Sequence, residues 1–372
     1  MRSPKRDGGP LQLFPILPTT RSLTGESVIR AAAVATGLIL CFSGCSPRPR
    51  PVIALDEAFA STRPTLAEEL RKTGGAGLVP RGWDSRSILV PIHLGDSPAE
   101  ALEAAKAEDE HRGPGSAIVA SPLVAKAIVE GGAWSGEPPL IVPGWRGGTI
   151  PGLWRLGSDP VPAYRAAGAA VGAYIATLAK GGGSPICGVV YAESPTRPRA
   201  ALAAFAEAYS GSSGGRAPEI RELGVGGDVN AGARETAPAE APLPPDRRGD
   251  RAKAAVADLL GRDLRVLFVA VGPEAEEAIQ AGTRPGIAVG ADFPYPEVPS
   301  SLAFRIVPDS SGIAMAIGAR ISSLRPNPPS REAPELVAAR LLPEPNAGEF
   351  KAGGSSLKRL LEESALRVKA WR

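Results

Sequence analysis

The chain has 372 residues, 43% of them hydrophobic, with 42 Lys/Arg against 39 Asp/Glu. Residues 1–44 hold five of the basic side chains and two of the acidic ones, so the 328 that follow carry 37 of each and no net charge. That balance removes the electrostatic case for nucleic-acid binding, and two histidines remote from any cysteine cluster leave no zinc-ligand spacing.

The first 50 residues do not read as fold. Ala31 to Leu40 is almost wholly apolar, follows Arg30 and is succeeded by Phe42-Ser43-Gly44-Cys45. An apolar core of roughly 7–15 residues behind a positive charge is an export signal and is too short to span a bilayer. The Ser-Gly-Cys ending resembles the lipobox of bacterial lipoproteins, with Phe42 where leucine is usual. The resemblance implies a signal peptide and lipobox over 1–45, acylation (palmitate) at Cys45, and a membrane anchor through that lipid. A plain signal peptide, or an apolar helix with an incidental cysteine, is the alternative. Residues 46–86 then form a tether, Pro47-Arg48-Pro49-Arg50-Pro51, and an N-terminal segment. Val52 to Lys72 holds one helical segment, with Leu66, Ala67 and Leu70 at helical spacing behind Pro64.

From residue 87 the pattern is strand then helix. Strands are expected near 88, 117, 140 and 153, with helices opened by Ser97-Pro98 and Ser121-Pro122. This makes 87–160 a first α/β lobe, to be completed by the returning segments 294–324. Ser158-Asp159-Pro160 introduces a long Ala-rich helix, about 162–179, stopped by Gly181-Gly182-Gly183. The second lobe, 161–293, continues with strand 186–191, helix 197–209, strand 219–224, helix 250–260, strand 264–271, helix 273–282 and strand 286–292. Its Pro/Ala/Gly-rich stretch 225–249 has no periodicity and reads as a disordered insertion. An extra strand at 301–307 and a helix at 308–324 follow. Residues 325–372 are expected to be C-terminal helices, one around 331–341 and one over 356–371. Cys187 lies in an apolar run and reads as an inert core thiol.

The most informative stretch is Leu264 to Arg320. An apolar run ends at Gly272-Pro273, and Pro273 to Gly282 has Ala275, Ala278 and Ile279 on one face of a helix. A second apolar run, Gly286 to Phe293, then ends in an acid. Continuous apolar runs separated by helices mean a parallel sheet covered on both faces. Ligands of such sheets bind outside the carboxyl ends of the strands, which puts Gly272, Asp292 and Phe293 on a site's rim.

Two consecutive α/β halves resemble the type I periplasmic binding-protein fold over Ser87 to Leu324. The residues that carry the likeness are Leu156-Gly157-Ser158-Asp159-Pro160 leading into Ala163-Tyr164-Arg165-Ala166-Ala167-Gly168, then Gly188-Val189-Val190-Tyr191, and Val289-Gly290-Ala291-Asp292-Phe293. The resemblance implies two lobes, each a parallel sheet flanked by helices, closing on a ligand. The aromatic content of 5% departs from the ring-stacking sugar binders of that family.

Seven residues are candidates for ligand binding. His93, beside Asp96, is a ligand contact or a solvated loop histidine. Ser121 is a ligand contact at a helix N-terminus or simply its N-cap. Trp145 and Arg146 follow the strand at 140–143 and fit ring stacking and an anion clamp, or structural roles. Glu193 stands at the rim of the second lobe. Asp292, with Phe293 beside it, ends an apolar strand and would be costly if buried unpaired; its other role would be to tie the return crossover. Asp159 reads as the cap of the long helix.

The function these features imply is a cell-envelope lipoprotein that binds a small polar solute between its lobes. It would pass the solute to a sensor or to a transporter, such as the membrane component of an ABC transporter. No cofactor is expected. A fold-retaining lipoprotein that docks a protein partner is the alternative. An envelope enzyme is weaker, since metal-ligand spacing, Gly-x-Gly-x-x-Gly and a phosphate loop are all missing.

Overall fold

The computed structural model describes residues 52–56, 59–60, 63–73, 88–92, 117–130, 134, 139–145, 150–194, 196–223, 246–272, 275–293, 300–322 and 335–370. All lie within one compact unit, Pro49–Arg372. Cys45, His93, Arg146 and residues 225–245 lie outside the described residues.

Two six-stranded sheets carry the chain. The first contains β1 (Val52–Asp56), β2 (Ile88–Ile92), β3 (Ile118–Ala120), β4 (Leu140–Pro143), β5 (Leu153–Asp159) and β11 (Glu335–Ala338), in the spatial order β11-β5-β4-β3-β1-β2, every pair parallel. The second contains β6 (Ile186–Tyr191), β7 (Glu219–Glu222), β8 (Leu264–Ala270), β9 (Ala288–Ala291), β10 (Leu302–Val307) and β12 (Arg340–Pro343). Its order is β12-β10-β9-β8-β6-β7, parallel throughout except for the edge strand β12. Both sheets therefore belong to the expected two-lobed α/β class.

Each sheet is covered on both faces, which is why its strands read as unbroken apolar runs. In the first, α1 (Pro64–Thr73) and α7 (Ser310–Ser322) share one cluster with Ile53, Leu55 and Ile141, while α2 (Pro122–Glu130) packs on Ile118, Leu140 and Val142. In the second, α3 (Val161–Ala179), α4 (Arg199–Ser212) and α8 (Leu357–Ala370) cover Val189, Val266 and Phe268. On its opposite face α5 (Asp246–Leu260) and α6 (Glu276–Gly282) cover Leu267 and Val269.

The small residues of α3 have a packing purpose. A Cβ at Gly168 would come within 2.2 Å of the Phe205 carbonyl oxygen, and one at Gly172 within 2.5 Å of that of Tyr209. Only glycine lets α4 approach this closely.

Three expectations are corrected. Residues 46–86 are more than a tether and one helix: Val52–Asp56 is a central strand of the first sheet, between β2 and β3. Four apolar residues before an acid are a strand signal, here overshadowed by the adjoining Pro/Arg run. The strand at 301–307 belongs to the second sheet, and only the helix after it returns to the first. The helix expected around 331–341 is two strands, β11 and β12, separated by Ala339. Ala339 and Leu341 are buried while Arg340 is exposed, the period-2 pattern of a sheet edge. The open edges of both sheets captured a segment whose Leu and Ala content favours a helix on propensity alone.

The chain passes between the sheets three times, at β5–α3, β10–α7 and β11–β12. The crossovers lie side by side. Ala338 pairs with Asp159, Val307 pairs with Arg340, and the Ala339 amide donates to the Asp159 carbonyl at 2.7 Å. Because the chain leaves β5 and β10 at their carboxyl ends to make these crossings, the carboxyl ends of both sheets lie toward the junction.

Candidate functional site

The carboxyl ends of β6, β8 and β9 assemble a buried polar cluster in the second lobe. Asp292 immediately follows β9, and its side chain is only 4% exposed. Tyr164, one turn into α3, is fully buried with its ring edge-on to Phe268 at 5.2 Å. Its hydroxyl donates to Asp292 Oδ2 at 2.6 Å. The Asp159 carboxylate accepts from the Val161 amide at 3.0 Å, fixing the start of α3 and with it the position of Tyr164.

Arg197 supplies the countercharge. It sits in a tight turn after β6, paired with Ser194 through two backbone hydrogen bonds of 2.8 and 3.1 Å. Its Nε donates to the Ala192 carbonyl at 3.1 Å and lies 3.7 Å from Asp292 Oδ2, while Nη2 donates to the Val271 carbonyl at 3.1 Å. The Tyr191 hydroxyl donates to the Arg197 carbonyl. Gly272, at φ +92°, completes the arrangement: a Cβ there would lie 2.9 Å from Arg197 Nη1. The guanidinium thus needs a glycine beneath it.

Burial pushes Asp292 up to about 7, against the opposing pull of Arg197 and the Tyr164 hydroxyl. The Tyr164 phenol is raised well above its ordinary value, first by burial and then by the neighbouring Asp292 carboxylate. Asp292 Oδ1 is buried without a well-formed hydrogen bond among the described residues, and the nearby backbone amides of Gly272 and Asp292 also help to lower the carboxylate's value. Arg197 spends Nε and Nη2 on carbonyls, and Nη1 has no acceptor among the described residues. The cluster can therefore accept from a ligand donor at one atom and donate to a ligand acceptor at another.

The first lobe presents a different pair. Ser121, fully buried at the end of β3, donates its hydroxyl to Asp56 Oδ2, and Asp56 Oδ1 accepts from the Phe59 amide at 2.7 Å. The Asp56 amide in turn donates to Ser121 Oγ at 3.2 Å. Ser121 ties the end of β3 to the end of β1, so its hydroxyl is used by the fold. Trp145 is half-buried, and its ring packs on the cluster beneath α2. Phe293 is half-buried beside Asp292. Glu193 is exposed and pairs with Arg199 at 3.2 Å on the surface, apart from the buried cluster.

Arg197, Tyr164 and Asp56 escaped the sequence reading. An arginine between two prolines directly after a strand, Pro195-Thr196-Arg197-Pro198, is the signal that could have found the first. Tyr164 reads as a helix-face residue, and its role exists only once β9 is placed beside it. Cys187 is fully buried, and burial pushes its thiol up.

A Gly-x-Ser-x-Gly pattern does occur, at Gly211-Ser212-Ser213-Gly214-Gly215. It lies at the end of α4, where Ser213 is buried and bonds the carbonyls of Ser210 and Arg216 at 3.4 and 3.0 Å. A nucleophile elbow needs a strand entering the turn and a helix leaving it; here a helix enters. Among the described residues no group of three His, Cys, Asp or Glu side chains is placed to hold a metal.

The sequence matches no family model and no curated protein. Solved structures are similar in fold. A transcriptional activator of the comK gene from Bacillus halodurans superposes with TM-score 0.51 at 10% identity over 87% of this chain and 97% of that one. A periplasmic ribose ABC transporter protein from Conexibacter woesei gives 0.49 at 12% over 87% and 98%. A LacI-family repressor from Corynebacterium glutamicum gives 0.44 at 13% over 82% and 98%. The likeness to the comK activator, at 10% identity, is one of fold alone.

Proposed function

We propose that this protein is a cell-envelope lipoprotein, anchored through Cys45, that binds a small polar solute between its two lobes. It hands the solute to a transporter, such as an ABC membrane component, or to a sensor, and it carries out no covalent chemistry. The observation that supports this reading is the Tyr164–Asp292–Arg197 cluster at the carboxyl ends of the second sheet, with a buried carboxylate oxygen that makes no well-formed hydrogen bond among the described residues. A buried unpartnered acceptor costs about 1–3 kcal/mol, which a ligand hydroxyl or amine would recover. The cluster's mixed charge suits a solute carrying both a donor and an acceptor, such as an amino acid or a polyol, and needs no aromatic platform.

Thermal unfolding of the purified protein against amino acids, nucleosides, sugars and short peptides tests this. A ligand that binds only the folded state raises the midpoint, by an amount worth about 2.7 kcal/mol at a hundredfold excess over Kd. The expected result is a hit that disappears in Asp292→Asn. A hit that persists in Asp292→Asn and in Arg197→Lys would move the site elsewhere, and a flat response across the panel would end the solute-binding reading.

A further inference from the structure

The guanidinium of Arg197 stands between two kinds of acceptor. Its Nε carries a single hydrogen, which donates to the Ala192 carbonyl at 3.1 Å, while Nη2 donates to the Val271 carbonyl at 3.1 Å. The same Nε lies 3.7 Å from Asp292 Oδ2, beyond the roughly 2.7–3.2 Å of a hydrogen bond. One N–H thus has two acceptors in competition, a main-chain carbonyl just after β6 and a carboxyl group just after β9. The Arg197 and Asp292 side chains are only 10% and 4% exposed, so the competition is settled within the protein.

The charge on Asp292 decides it. A neutral carboxyl leaves the hydrogen with the carbonyl. A carboxylate makes a charge-assisted bond, roughly twice as strong as a neutral one, and draws the guanidinium away. Among the described residues, the charged or titratable groups that face Asp292 are Arg197 itself, Tyr164 from α3 and Tyr191 from β6; beyond β8, Gly272 offers an amide. Burial raises both phenols, Tyr191 to about 12. They stay neutral through the range in which Asp292, pushed up to about 7 by its own burial, takes on charge.

A short segment of backbone depends on the outcome. Ser194 and Arg197 close a tight turn with bonds of 2.8 and 3.1 Å, and the Arg197 carbonyl accepts from the Tyr191 hydroxyl. The Arg197 side chain ties that turn back to Ala192 and across to Val271.

We propose that Arg197 and Asp292 form a proton-operated latch at the carboxyl ends of the second sheet. With Asp292 protonated, Arg197 holds the 192–197 turn on the strand ends. With Asp292 ionised, Nε turns to the carboxylate, releases the Ala192 carbonyl and loosens the turn. The proton passes between the carboxyl group and solvent, and no other bond forms or breaks covalently. The latch needs no solute, so it stands apart from the binding reading.

Hydrogen exchange of the purified protein from pH 5 to pH 8, each rate divided by the intrinsic rate of the unstructured sequence at that pH, tests this without a ligand. Protection of the 192–199 segment should fall about threefold or more as pH rises through the Asp292 titration, while α4 keeps its protection. Asp292→Asn carries no charge at any of these pH values and should hold the turn at its low-pH protection throughout. Arg197→Gln should expose the turn throughout, with no step. Circular dichroism would verify that both variants fold. Equal wild-type protection at pH 5 and pH 8, or a step that survives in Asp292→Asn, overturns the latch. An equal fall in α4 would make the effect global and also overturn it. The wild-type comparison needs no variant, so a substitution that unfolded the chain would still leave the latch falsifiable. A flat solute panel beside a clear exchange step would end the binding reading and keep the latch; the reverse pair of results would do the opposite.

Discussion

The hydroxyl of Tyr164 donates to the carboxylate of Asp292 at 2.6 Å, across 128 positions of sequence. That bond joins the first turn after the β5–α3 crossover to the end of β9, so the buried acid stands beside a passage between the lobes. Replacing Tyr164 with Phe keeps the ring on Phe268 and removes only the donor. The expected cost is about 1–3 kcal/mol, because a buried acceptor loses its partner. Urea midpoints of the two proteins measure it; equal midpoints would show that the bond contributes nothing net.

Asp292 makes stability depend on pH in a defined direction. Its folded value of about 7 lies above the ordinary 3.8, so between those values the native state holds a proton that the unfolded chain has released. The contribution is fully present below about pH 4 and is lost as pH rises through 7. Asp292→Asn removes this titration. Comparing urea midpoints at pH 5 and pH 8, the wild type should lose more stability than the variant. Identical losses would mean that Asp292 ionises at its ordinary value.

Two glycines in helices give opposite expectations. Gly168→Ala puts a methyl 2.2 Å from the Phe205 carbonyl oxygen and forces α3 and α4 apart, an overpacking cost of typically 1–3 kcal/mol. Gly318→Ala, within α7, meets nothing inside 4 Å and should stabilise by about 0.5–1 kcal/mol through the unfolded chain's lost freedom. Thermal midpoints moving the same way in both would contradict the packing described.

Cys187 should be unreactive while the protein is folded. It is fully buried at the second lobe's core, and burial holds the thiol protonated, so the nucleophilic thiolate is scarce. Peptide mapping after maleimide treatment should find Cys187 labelled only when denaturant is present. Labelling under native conditions at the rate of an exposed thiol would refute this.

How much of this was legible depends on which forces act locally. The apolar runs at 140–143, 186–191 and 264–271 announced parallel strands, because strands buried on both faces have no polar side to alternate with. Asp292 could be singled out for the same reason, as an acid at the end of such a run. Ser121 was also visible, but not its partner: its hydroxyl goes to Asp56, on a strand 65 positions earlier. Glu193 had the right position along the chain, yet its side chain turns to Arg199 on the surface.

The order of strands and helices, and the acid that matters, were thus set by burial patterns written into short windows of sequence. Tertiary structure alone decided the rest. Residues 335–343 became strands because two sheet edges offered hydrogen bonds that outweighed their helix propensity. Arg197 and Tyr164 became partners of Asp292 only when crossovers distant in sequence were brought side by side. Desolvation and charge pairing depend on distances in space, and no local pattern in the chain records them.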